Sequence, residues 1–268
     1  MKKNPFLYFS LLACLFGWSL FILAALGVKL YPTGMPLGPM LAAIVVVIAG
    51  GRDRWTEWRK LLFAFRAPAK WYLLALVVPV IMVIIPVFIN HLFGAPLPDG
   101  NQWIPGPAIL VNIAFMFIFV GIGEETGWTA FMAPELLKKN SLILTWVILA
   151  AVRFTWHIPL MIQAGGSRWL DLALGIVAFQ FVILWVYKRG GNVWILAAIW
   201  HTVNNIMSQF FGPMVQGADH DRLGVLKGVA YVFLAIVIYL VDRKFLKGKS
   251  TMTENARQPG KNVSPAAG

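Results

Sequence analysis

Eight stretches of this chain are apolar and nearly free of charge over lengths suited to a bilayer: roughly 6–28, 35–51, 72–93, 107–130, 142–162, 169–187, 193–211 and 223–241. A bilayer's hydrocarbon core takes about 20 apolar residues per helix. Lipid offers the backbone no hydrogen-bond partner, so segments of this kind close their own bonds as helices. The apolar/polar alternation of a membrane β-barrel is absent. The expectation is an all-α polytopic membrane helical bundle of about eight transmembrane helices. Composition supports it: 59% of residues are hydrophobic and 13% charged, and mean hydropathy is +0.72. A soluble domain carries about 25% charged residues. A single cysteine, Cys14, excludes an internal disulfide and a cysteine metal centre.

The net charge of +12 comes from 23 Lys+Arg against 11 Asp+Glu. With a cytoplasmic N-terminus and eight crossings, 18 basic residues fall on the cytoplasmic side and 3 (Lys29, Arg168, Arg222) outside, while Arg153 and Lys227 lie within spans. Positive loops stay on the cytoplasmic side during insertion, so both termini are expected there. The same split accounts for the basicity without nucleic acid, and no basic face with interleaved readout residues appears. The partners expected are the lipid bilayer and a membrane-associated peptide or protein. The first apolar run is too long for a signal-peptide core. Residues 52–70 place Trp55, Trp58, Leu62 and Phe65 at helical spacing among Arg54, Arg59 and Lys60, as in an amphipathic helix on the cytoplasmic leaflet. Residues 1–243 form one transmembrane domain on this reading, and 244–268 a polar, disordered cytoplasmic tail.

Ionisable groups deep in a membrane helix are costly and mark function by default. Three clusters qualify: Gly123-Glu124-Glu125-Thr126-Gly127-Trp128-Thr129 in the fourth run, Arg153-Phe154-Thr155-Trp156-His157-Ile158-Pro159 in the fifth, and His201-Thr202-Val203-Asn204-Asn205 in the seventh. Glu124 and His157 are equidistant in sequence from the Lys138-Lys139-Asn140-Ser141 turn between antiparallel helices, so they sit at one height. His201 and Asn205 share a helix face. Gly123 and Gly127 let a neighbouring helix approach closely. Pro159 removes a backbone donor just past His157 and is a place to bend. Glu124, Glu125, His157, His201 and Asn205 are therefore expected to converge on one polar chamber. Two carboxylates with two imidazoles suit water activation by a general base, and His201 with Asn205 suits stabilisation of an oxyanion. That chemistry hydrolyses an amide without a serine or cysteine nucleophile.

These residues resemble the motifs of the CPBP (ABI) family, the type II CAAX prenyl endopeptidase-like intramembrane proteases. A Glu-Glu pair followed by Gly-Trp, a Trp-His-Ile-Pro motif and a His-x-x-x-Asn motif stand in order at Glu124–Trp128, Trp156–Pro159 and His201–Asn205, within 105–210. The resemblance implies a helical membrane endopeptidase whose chamber opens to the cytoplasm. It implies Glu124 as general base, His157 as co-activator of water, His201 and Asn205 as oxyanion contacts, and Glu125 as a supporting residue. Two positions depart from the pattern: Thr129 stands where the family often has Arg, and Arg153 where it often has an aromatic residue. Two placements of Arg153 are open: it supplies the missing cation to Glu125, or it faces lipid headgroups or a water cavity; Thr129 and Trp128 are expected to support the site.

No metal is favoured; zinc, if bound, would take Glu124, His157 and His201, since His and carboxylate ligands suit it. There is no His-Glu-x-x-His motif, and Asn is an uncommon zinc ligand. The alternative is a catalytically degenerate protein of the same scaffold acting as a transporter, binding or immunity factor. The expected location is an integral multi-pass position in the membrane, the cytoplasmic (plasma) membrane if the source is bacterial.

Overall fold

The structure, a computed structural model, describes residues 3–30, 33–99, 106–164 and 169–247. These residues are helical with no strand among them. The helices are α1 (Pro5–Gly17), α2 (Ser19–Ala25), α3 (Gly38–Gly50), α4 (Arg52–Leu62) and α5 (Ala69–Leu92). They continue with α6 (Gly106–Leu137), α7 (Leu142–Gln163), α8 (Trp169–Arg189), α9 (Ile195–Phe211), α10 (Gly217–Val241) and α11 (Arg243–Lys247). Every apolar run of the sequence is helical. Five helices, α5, α6, α7, α8 and α10, have the length and hydropathy to cross a membrane.

The other three runs differ from simple spans. The first breaks into α1 and α2, which meet at 52°. The break lies where Trp156 of α7 inserts: a Cβ on Gly17 would fall 1.9 Å from Trp156 Nε1. Trp156 Nε1 donates to Ala13 O at 3.1 Å, and Trp18 Nε1 donates to Trp156 O at 2.9 Å. The second run, α3, is 13 residues long, about 20 Å at 1.5 Å per residue and short of a hydrocarbon core. The seventh, α9, has 17 residues and packs among α5, α6 and α8. The amphipathic segment is helical over Arg52–Leu62, with Trp58 buried, and its last two residues open α5. The last span starts at Gly217, six residues before the apolar run, where Asp219 and Arg222 pair one helical turn apart at 2.6 Å. Most of the polar tail, 248–268, lies outside the described residues, as do Lys2 and Arg168.

Helix α6 positions the site. It is 32 residues long and contains two π-helical stretches, Met116–Ile122 and Trp128–Met132, that flank Gly123–Gly127. Such wide turns occur mainly as local bulges at functional positions. Every residue from Gly123 to Pro134 is buried. Glycine makes this enclosure possible. A Cβ on Gly127 would sit 2.4 Å from Pro39 O of α3, and one on Gly121 2.3 Å from Thr202 Oγ1 of α9. The expected close approach of a neighbour to Gly123 and Gly127 is made by the N-terminus of α3. Helix α7 begins after the Lys138–Ser141 turn, with Ser141 Oγ accepting from Leu144 N at 3.2 Å. It runs unbroken through Pro159 to Gln163.

Candidate active site

Glu125, wholly buried, accepts from donors on three helices. Thr129 Oγ1, one turn on in α6, donates to Oε2 at 2.5 Å. His201 Nδ1 of α9 lies 2.8 Å from Oε1. Arg153 Nη2 of α7 donates to the same Oε1. Of the two placements open to it, Arg153 thus takes the one at Glu125, and the two departures from the family pattern, Thr129 and Arg153, meet on the two oxygens of one carboxylate.

Arg153 is 2% exposed, and a buried charge is tolerable only when paired and hydrogen-bonded. Its Nη1 donates to Gln180 Oε1 at 2.8 Å, and its Nη2 reaches Glu124 Oε2 at 3.4 Å. Its guanidinium carbon lies 5.6 Å from the Trp128 ring and 5.8 Å from Phe179, within cation–π range. The supporting position of Trp128 is therefore a contact with this cation.

Glu124 has a different environment. Its one hydrogen bond from Arg153 is long, and its side chain lines a cavity of about 280 Å³. His157, His201 and Asn205 line the same cavity. The Nδ1 of His157 is 2.7 Å from Arg153 O. A backbone carbonyl only accepts, so this nitrogen carries the proton and a neutral ring keeps its lone pair on Nε2. His201 has Nδ1 committed to Glu125, leaving Nε2 as its other polar atom. Asn205 Oδ1 accepts from Asn204 Nδ2 at 3.2 Å.

All five expected residues thus meet around one cavity, Glu125 as a buttress behind it and the other four on its wall. The structure adds others to the wall: Asp171, Asn204, Ser208, Lys227 and Tyr231. Gln180 and Lys227 are polar residues inside apolar runs, a signal readable in the sequence as inter-helix contacts. Asn204 belongs to the third polar cluster, whereas Tyr231 gave no such signal.

Ligand atoms of Glu124, Glu125 and His201 lie within 4.8 Å of one another. This is not the zinc set expected from the sequence, because His157 is absent from it and Glu125 takes its place. The two carboxylates share the Arg153 guanidinium.

The helical bundle and this buried cluster of acid, imidazole and guanidinium groups define an integral, multi-pass membrane protein with a polar chamber among its helices. Residues 106–207 match the family described as "Type II CAAX prenyl endopeptidase Rce1-like". A protein of Methanococcus maripaludis described as CAAX prenyl protease 2 is 24% identical over 185 residues, covering 62% of this chain and 66%, just under two thirds, of that protein. Over this region the chain is similar to type II CAAX prenyl endopeptidase-like proteins. The matched region holds all five expected site residues.

Proposed function

We propose that this chain is an intramembrane endopeptidase that hydrolyses a peptide bond of a membrane-associated substrate. The observation that carries the reading is the division of labour between two adjacent glutamates. Glu125 accepts from three donors and is not among the residues that line the cavity. Glu124 faces the cavity beside His157.

In the mechanism this supports, Glu124 accepts a proton from a water that also donates to His157 Nε2. The water oxygen attacks the scissile carbonyl carbon, and the carbonyl π electrons move to oxygen. Asn205 and a doubly protonated His201 donate to that oxyanion, with Glu125 stabilising the imidazolium through Nδ1–H. Collapse of the adduct breaks the C–N bond, and Glu124 returns its proton to the leaving amine, giving a carboxyl and an amino product. Donors fixed in a low-dielectric chamber need no reorganisation as charge develops, which is where such sites gain rate. The cluster works without metal on this reading, since Arg153 holds the position between the carboxylates.

The test is cleavage of membrane peptides by the purified protein beside Glu124→Gln, with exhaustive chelation as a further arm. The wild type should cleave and keep its rate after chelation, and the variant should not cleave. Equal signals from the two proteins would remove the enzyme reading and leave a binding protein on the same scaffold. The substrate class suggested by the relative's name, a prenylated CAAX-type protein, is tested by comparing prenylated with unprenylated peptides.

A further inference from the structure

Trp58 Nε1 and Arg54 Nη1, one turn apart on α4, are buried donors with no acceptor among the described residues. A buried N–H without a partner is costly, and a site that keeps two calls for an acceptor from outside the chain. Both residues line a cavity of about 450 Å³ between α4 and the last turns of α6. The Arg54 side chain is 19% exposed and approaches Glu135 only at 3.9 Å, beyond hydrogen-bond range. Lys60, exposed, lines the same cavity.

The other groups on the wall decide which acceptor fits. Lys138 is shared by Glu57 at 3.1 Å and Glu135 at 2.6 Å, so one ammonium holds both carboxylates of the lining. Arg54, Lys60 and Lys138 against Glu57 and Glu135 leave one positive charge in excess, which suits a single anion. The rest of the lining is apolar, with Leu61 from α4 and Ala130, Phe131 and Pro134 from α6. A free inorganic anion gains nothing from such a surface, whereas an amphiphile does. Around the cavity, Trp55, Phe63 and Phe65 are exposed among the exposed cations Arg52, Arg59 and Arg66. Aromatic and basic residues mixed in this way sit at the headgroup level of a bilayer. Ala130 and Phe131 also belong to the wide turn Trp128–Met132, which directly follows the Gly123–Gly127 segment that carries both glutamates.

We propose that the cavity between α4 and α6 binds an anionic phospholipid of the adjoining leaflet. Its phosphate diester accepts from Arg54 and from the Trp58 indole N–H, Lys60 adds charge at the rim, and its glycerol and first acyl carbons lie on Leu61, Phe131 and Pro134. Hydrogen bonds from a cation to a phosphate are among the strong ones, and basic clusters beside a membrane attract anionic headgroups. The site stands whether or not the chamber at Glu124 is a protease.

The experiment uses purified full-length protein, stripped of lipid in an uncharged detergent. It is titrated with short-chain phosphatidylglycerol, short-chain phosphatidylcholine and inorganic phosphate, with bound equivalents read by native mass spectrometry alongside the melting temperature. The wild type should bind one equivalent of phosphatidylglycerol about tenfold more tightly than either other probe, with a rise in melting temperature. Trp58→Phe keeps the aromatic bulk and removes the N–H, and should weaken that binding about tenfold, the loss of one hydrogen bond to a charged group. Lys60→Met, a change at an exposed position, should weaken it about fivefold. Lys244→Met, at the same basic end but outside the cavity, should leave it unchanged. Equal affinity in wild type and Trp58→Phe overturns the proposal. So does a loss in Lys244→Met as large as that in Lys60→Met, which marks attraction to basic charge at large. Inorganic phosphate binding as tightly as phosphatidylglycerol makes the site one for a free anion, and phosphatidylcholine doing so shows that headgroup charge is not read; either overturns it. Should Trp58→Phe fail to fold, the comparison of Lys60→Met with Lys244→Met decides.

Discussion

Replacing Arg153 with methionine keeps much of the side-chain bulk and removes the charge. The arginine is wholly enclosed and holds Glu125, Glu124 and Gln180 together. Without it, Glu125 remains 0% exposed with only Thr129 and His201 as donors. Removing one partner of a buried ion pair costs about 3–5 kcal/mol, because the surviving charge has lost its compensation. That is roughly two to three and a half powers of ten in the folding equilibrium. Neutralising the survivor should relieve most of the loss, so Arg153→Met with Glu125→Gln should be more stable than the sum of the single changes by about 2–3 kcal/mol. Reversible unfolding in mixed micelles, followed by tryptophan fluorescence, measures all four corners of the cycle. Single-mutant losses that add to within about 0.5 kcal/mol in the double mutant would show that Arg153 and Glu125 do not depend on each other.

Four further outcomes follow from the same contacts. Arg153→Phe should lose peptide cleavage, and Thr129→Arg in that background should restore part of it by returning a cation to Glu125 from within α6; a double variant no more active than the single one counts against that exchange. Gly127→Ala should cost about 1–3 kcal/mol by overpacking, since the added carbon meets backbone of Pro39 at 2.4–2.5 Å, whereas Gly123→Ala meets the movable Leu37 Cδ2 at 2.9 Å and should cost less; melting temperatures in detergent decide. Hydrogen bonds from Arg189, and also from Trp185, hold the Asp242 carboxyl below its usual 3.8, so its contribution is present above pH 3.8 and lost as pH falls through the lower folded value. Asp242→Asn should remove that acid-sensitive component, about 0–1 kcal/mol for a pair at the bundle's edge, as seen in unfolding curves at pH 3 and pH 6.

The apolar segments were legible because lipid leaves the backbone no choice but to form helices. The site residues were legible because a glutamate or histidine in such a helix is expensive enough to stand out. Other features depended on partners distant in sequence. The break at Trp18 is set by Trp156, which lies 138 residues away, and nothing near Gly17 announces it. Helix α6 reaches Leu137, beyond the apolar run, because its last turns are buried by packing although Glu135 makes them look like a loop. Helix α10 starts early, over a charged segment in which Asp219 and Arg222 pair one helical turn apart. Pro159 was read as a place to bend, yet α7 carries it without interruption.

The division between the two glutamates depends on three-dimensional placement, since both belong to one motif. They are consecutive on α6, so their side chains leave the helix about 100° apart. One direction meets Thr129, Arg153 and His201; the other opens on the chamber. Two carboxylates at this depth would repel each other, and a single guanidinium between them offsets both. The short contact goes to Glu125 and the 3.4 Å contact to Glu124, so the charge is compensated chiefly on the residue that faces away from the chamber. Glu124 keeps the weaker partner and faces the chamber. A cation absent altogether would leave two buried carboxylates uncompensated, at the cost worked out above for Arg153→Met. The asymmetry of Arg153 is therefore what lets one motif supply both a structural anchor and a candidate base.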